Sequence, residues 1–166
     1  MRGMRRWFVL VVAVMATMAG VFAPQASAGL TPIGRLGETL HVEYMTIVAD
    51  VTVNSVGPSE VPPGFGFAPR GPAFKVESAN ITVHVIKAPN PFITSIVFNF
   101  RGVNPIADAY DSRNSDAPDA LQYALQNAPP GSTVNGNVWW DTYRDPVTNV
   151  VLLDKVTGTH LAQWNL

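Results

Sequence analysis

The chain has 166 residues, no cysteine, 47% hydrophobic residues, only 14% charged ones and a formal net charge of −1. The absence of thiols excludes a disulfide scaffold, a thiol nucleophile, a thiolate zinc site and anchoring through a lipidated cysteine. The even spread of its few charges excludes the clustered basic footprint that a nucleic-acid binder needs.

At the amino end, Arg2, Arg5 and Arg6 precede an uncharged run from Trp7 to Phe22, followed by Ala26-Ser27-Ala28. A basic n-region, an apolar h-region and a small-residue cleavage site make residues 1–28 a cleavable signal peptide. The apolar run falls just short of the roughly 20 residues that a bilayer span takes. Arg5-Arg6-Trp7-Phe8 brushes the twin-arginine pattern, but so apolar a run suits the general secretory route equally well. Cleavage removes three of 11 basic residues and none of 12 acidic ones, leaving eight against 12, a net of −4. The eight cations (Arg35, Arg70, Lys75, Lys87, Arg101, Arg113, Arg144 and Lys155) stand singly, so neither nucleic acid nor stable membrane insertion is expected of the mature chain. Residues 29–166 are enough for one domain that buries about two thirds of its unfolded surface.

Strand patterns fill most of that domain. Leu40, Val42, Tyr44, Thr46 and Val48 alternate with His41, Glu43 and Met45, and Val51 to Val56 continues the β-branched pattern, which predicts two strands with a bend near Ala49-Asp50. From Phe74 to Ile86, Ala79, Ile81, Val83 and Val85 share one face, and Ser78, Asn80, Thr82 and His84 the other. A further strand is expected over Ile93 to Phe100, entered through the Ala88-Pro89-Asn90-Pro91 turn. Val138 to Tyr143, Val147 to Leu153 and Thr159 to Trp164 complete about seven strands, the pattern of an all-β antiparallel sandwich rather than of βαβ units.

Two segments break the pattern. Gly57 to Pro72 holds five prolines and several glycines, which argues against a regular ladder and leaves Phe65 and Phe67 in a loop, either plugging the end of the core or exposed to a partner. Between Ser115 and Asn127, Asp116 reads as an N-cap, Pro118 sits in the first turn, and Leu121, Ala124 and Leu125 form a stripe, predicting a short helix over 116–127.

Motifs for chemistry are sparse. His41, His84 and His160 stand far apart in no metal-binding spacing, and Asp108, Asp111, Asp116 and Asp119 lack the arrangement of a calcium loop. There is no G-x-S-x-G elbow, phosphate loop or dinucleotide fingerprint. Asn80-Ile81-Thr82 matches the glycosylation tripeptide but lies on a regular strand. Trp139 and Trp140 must face opposite ways, and the sharing of a face with Val138 assigns Trp140 to the core. Trp139 is left to a covered cross-strand pair or to a partner.

In order along the chain come Pro32-Ile33-Gly34-Arg35-Leu36-Gly37, a Pro-Gly loop at Pro63-Gly64-Phe65, a strand from Phe74 to Val85, Phe98-Asn99-Phe100-Arg101, a turn at Pro130-Gly131, Val138-Trp139-Trp140-Asp141 and Trp164. This ordered set resembles the secreted immunogenic proteins of mycobacteria, the immunoprotective extracellular protein family, whose shared domain has no established function. The resemblance implies an immunoglobulin-like β-sandwich, secretion and recognition by the host immune system, and it carries over no catalytic residue. The chain departs from the family's pattern at 57–72, at 102–127 and at Asn165-Leu166, where the pattern ends in proline.

The expectation is a secreted, extracellular protein that is not an enzyme and has no cofactor or metal, with cell-wall association left open. It would bind an unidentified protein or envelope component through Phe65, Phe67, Arg70 and Trp139. The alternatives are a carrier of a small apolar ligand held between the sheets and, behind it, a hydrolase whose carboxylates or histidines are gathered by the fold.

Overall fold

Residues 30–66 and 71–166 are described by the computed structural model. The expected signal peptide, its expected cleavage point and the expected contact residues Phe67 and Arg70 lie outside them. Among the described residues the alternating segments form ten strands and two short helices. They are β1 (Ile33–Arg35), β2 (Thr39–Tyr44), β3 (Ile47–Pro58), β4 (Lys75–Lys87), α1 (Ile93–Val97), β5 (Phe98–Val103), β6 (Ala109–Tyr110), β7 (Ser112–Arg113), α2 (Leu121–Gln126), β8 (Thr133–Thr142), β9 (Asn149–Asp154) and β10 (His160–Asn165). The first sheet runs β1-β10-β9-β5-β6 and the second β2-β3-β4-β8-β7. Every pairing of these strands is antiparallel except β1 with β10. The chain is an all-β sandwich.

Period-two patterning sets which side chains fill the space between the sheets. From the second sheet come Val51 and Val53 of β3, Ala79 to Val85 of β4 at alternate positions, and Trp140 of β8; facing them are Phe98, Phe100, Val150, Leu152 and Trp164. Both core indoles satisfy their N–H groups: Trp140 Nε1 donates to the Phe100 carbonyl at 3.0 Å, and Trp164 Nε1 to that of Glu38 at 2.9 Å. These bonds run between the sheets or onto the loop before β2. They therefore fix sheet spacing as well as indole orientation.

Ten strands stand where about seven were expected, β8 begins at Thr133 rather than Val138, and three further boundaries differ. The turn between the first two long strands is Met45-Thr46, with Tyr44 opposite Ile47, and Ala49-Asp50 lies inside β3. A two-residue turn moves the inward set from even numbers (Val42) to odd ones (Ile47, Ala49, Val51), a switch that continuous alternation through Thr46 and Val48 conceals. Residues 93–97 are a helical turn rather than the start of a strand: Asn90 Oδ1 accepts from Phe92 N–H, and the Phe92 carbonyl accepts from Ile96 N–H and the Ser95 hydroxyl. The helix expected over 116–127 begins only at Leu121, and Asp116 does not cap it. Asn137 explains the delay, since its backbone N–H reaches the Asp119 carbonyl at 2.7 Å and its side-chain amide the Asp119 carboxylate at 2.6 Å. Those bonds hold Asp119 against β8 and out of a helical turn. Gly136 permits the close seat of α2, because a Cβ there would lie 2.6 Å from Leu121 Cα.

A crevice between the sheets as candidate functional site

Trp139, one residue before Trp140, points out of the sandwich and is nevertheless only 5% exposed. Around it Phe65, Val76, Ala117 and Ala120 form a second apolar cluster on the outer face of the second sheet. The Pro-Gly loop is the cover. Gly66 N–H bonds the Asn114 carbonyl at 2.9 Å, and the Pro63 carbonyl accepts from Asp116 N–H at 2.8 Å and from the Ser115 hydroxyl at 3.1 Å. Arg113 lies over the Phe65 ring, 5.8 Å from its centroid, and faces Asp141 at 3.5 Å. Asp141 in turn accepts the backbone N–H of Ala73 at 2.8 Å, anchoring the far side of the loop.

Both described residues of the expected contact surface are therefore buried. Phe65, 3% exposed, and Trp139, 5% exposed, pack into one cluster, and Trp139 also lines the crevice described below. Of the two alternatives that the sequence left for each ring, the plugged loop for Phe65 and the covered pair for Trp139 are the ones observed.

The histidines are less scattered than their sequence separation implies. In cross-strand register, Asp50 of β3 sits between His41 of β2 and His84 of β4. His41 Nδ1 meets Asp50 Oδ1 at 2.7 Å and its Nε2 meets Glu43 Oε1 at 3.2 Å, and the two carboxylates, Asp50 first, raise the imidazole above its ordinary value of 6.5. His84 is bonded to the Thr133 hydroxyl at 2.9 Å, while His160 joins His41 and Glu43 along a cleft of about 370 Å³ beside Thr31. Among the described residues no group of three or more His, Asp or Glu is placed to hold a metal ion. Nor is any helix there long and apolar enough to cross a membrane. The glycosylation tripeptide lies in the second sheet's outer amide network, where Asn80 donates to Asn135 and Asn137 at 3.0 and 2.9 Å.

Sequence patterning gave no notice of the crevice where the sandwich opens along one side. There the chain leaves the first sheet at Tyr110 and joins the second at Ser112, with Asp111 alone between. Beside this crossing, residues of β5, the β7–β8 edge, α1 and α2 surround a crevice. The resulting space is about 230 Å³. Phe98, Phe100, Leu121, Leu125 and Val138 give it an apolar floor, and Ser95, Asn99, Ser112, Asn114, Gln122 and Lys155 a polar rim. Several rim groups are already tied: Ser112 donates to Asn99 Oδ1 at 3.1 Å, Gln122 Nε2 to the Ser115 carbonyl at 3.3 Å, and Arg101 to Asp111. An apolar floor with a few convergent polar groups is the usual make-up of a small-molecule site. The Leu121/Leu125 stripe was the one available signal, since it marked a helix with an apolar side to bury. Nothing in the sequence marked Lys155 or Asn99.

No family model matches the chain, and no curated protein matches it. Among solved structures it is similar to MPT63, a secreted protein from Mycobacterium tuberculosis, with a TM-score of 0.62 and 22% identity over 84% of this chain and 100% of that one. At that identity the likeness is one of fold.

Proposed function

We propose that this is an exported binding module, acting without covalent chemistry, whose site is the crevice between β5 and the β7–β8 edge and whose ligand is a small, largely apolar molecule. The carrying observation is the crevice itself, an opening into the sandwich with an apolar floor and a polar rim. Export rests on the three-part pattern of residues 1–28. It is supported by the likeness to a secreted protein. The immunoglobulin-like assignment and a place among the mycobacterial secreted antigens belong to the same reading, supported by the two-sheet architecture and the ordered motifs from Pro32 to Trp164.

The test is titration of the mature protein with 2-naphthylmethanol, followed by amide and methyl NMR shifts. Saturable shifts centred on Phe98, Leu121, Leu125 and Val138, abolished by Ser95→Trp at the rim, are expected. Shifts that never saturate, or that survive Ser95→Trp, overturn the reading. Export is checked by the amino terminus of protein recovered from the medium, expected at Gly29.

A second reading, contact with a protein or envelope component, keeps one specific support. Phe74, Ile106 and Tyr143 are 65%, 60% and 41% exposed in the loops at the end of the sandwich away from the helices. Saturable, competable binding of labelled mature protein to host cells or to the producer's envelope, lost in Phe74→Ser/Ile106→Ser, is the result that would favour it.

A further inference from the structure

The charges around the crevice are unequally committed. Asp111 is paired with Arg101, and Arg113 is engaged by Asp141 and by the Phe65 ring. Lys155, exposed at the mouth, has no carboxylate within ion-pair distance among the described residues. Its own backbone is fixed, because its N–H bonds the Val97 carbonyl at 2.8 Å, so the β9–β10 turn holds the side chain's root beside α1. The neighbouring Asp154 does not neutralise it. That carboxylate is buried and takes the Tyr44 hydroxyl at 2.6 Å, the Val156 N–H at 2.9 Å and the Thr157 hydroxyl at 2.7 Å.

Uncharged donors show the same imbalance. Asn99 uses its oxygen to accept from Ser112, and its amide N–H groups have no protein acceptor among the described residues. On the outer face of the second sheet, by contrast, each amide nitrogen of Asn54, Asn80 and Asn135 has two acceptors. The crevice thus combines an apolar floor, unspent N–H donors and an unpaired cation. A ligand that completes it must bring acceptors and negative charge.

We propose that the crevice selects small amphipathic anions, with an apolar body of one or two rings or a short acyl chain on the floor and a carboxylate or similar acidic head toward Lys155 and Asn99. This rests on the crevice being the binding site. The volume of about 230 Å³ limits the body. A cavity of roughly 150 Å³ accepts benzene, so there is room for little more than a second ring. With the head at the solvent-exposed rim, the charge is not stripped of water, which avoids the large desolvation cost of a buried ion pair.

Three probes that share a ring system test the proposal: 2-naphthoate, 2-naphthylmethanol and 2-naphthylmethylammonium, each titrated into the mature protein at low and at high salt. The expected order is naphthoate tightest, about tenfold over the alcohol at low salt, and the ammonium weakest, with the anion preference shrinking as salt rises. Lys155→Met should bring naphthoate to the level of the alcohol, and Lys155→Glu should invert the anion–cation order. Both variants should leave the circular dichroism spectrum unchanged, since the Lys155 N–H bond to Val97 survives them. Equal affinity for all three probes, or an anion preference that persists in Lys155→Glu, overturns the proposal while leaving the crevice a binding site. Failure of every probe to bind overturns both.

Discussion

Trp140 and Trp139 are neighbours in sequence, yet they belong to two hydrophobic clusters built in different ways. Around Trp140, regular strands from both sheets supply the contacts, and alternation alone decides which side chains turn inward. Around Trp139, loops supply them: Phe65 arrives from a Pro-Gly segment, and Ala117 and Ala120 from the turn before α2. The first cluster cannot be opened without separating the sheets, whereas the second is closed by a lid held by a handful of hydrogen bonds and by the Phe65 ring. Equal burial therefore conceals unequal cooperativity.

The largest effect expected from this contrast is that of Trp140→Ala, about 3–5 kcal/mol of global stability, because a core that cannot collapse keeps the cavity. Its check is the urea midpoint at unchanged slope. Gly136→Ala, at the seat of α2, should cost about 2 kcal/mol by forcing the helix off β8, in the range of overpacked sites. It should also reduce binding in the crevice, because Leu121 and Leu125 move with the helix; unchanged affinity would separate the helix seat from the site. Phe65→Ala should cost only about 1–2 kcal/mol, below the range for deletion of a core phenylalanine. Its signature is local: faster exchange at Gly66 and Asp116 amides and quicker proteolysis between 57 and 72, with exchange at Val83 and Val151 unaffected. A loss as large as that of Trp140→Ala would show that the lid folds as part of the core.

Smaller effects follow from pH. Asp154 is held below its ordinary value of 3.8, first by the Tyr44 hydroxyl and then by Val156 N–H and Thr157. Its contribution is present above the unfolded value and lost as pH falls through the depressed folded one. Tyr44→Phe should flatten that acid limb of the stability curve. The smallest effect belongs to His41, raised above 6.5 mainly by Asp50 and then by Glu43. Its contribution is full below the unfolded value and fades as pH rises through the raised one. Asp50→Asn should remove most of that dependence, in a pair exposed enough that the change in midpoint stays slight.

Much of the sandwich was readable because its physics is local. The faces of β4, the assignment of Trp140 to the core and the turn before β9 all follow from period-two alternation and turn chemistry. What escaped was decided by contacts distant in the chain. Asn137, 18 residues beyond Asp119, delays the start of α2. The turn at Met45-Thr46 was hidden because alternation persists across it while the inward face changes parity. The crevice is a product of where two sheets part, and its donors are identifiable only by what they fail to meet. The composition of the Pro-Gly loop raised both outcomes for Phe65, and burial against Trp139 decided between them.

The parallel pairing of β1 with β10 also bears on the order of folding. Ile33 lies opposite Gln163, so β10 occupies an interior position in the first sheet while being the last of the ten strands to leave a ribosome or a translocation channel. Contacts of such high order close late and slowly. Until β10 arrives, β9 has an open edge, β1 has no neighbour and the Trp164 slot stands empty. A chain emerging amino end first thus leaves this sheet unfinished until β10 has emerged. The same arrangement makes the open edge of β9 the site most exposed to wrong pairing in the interval.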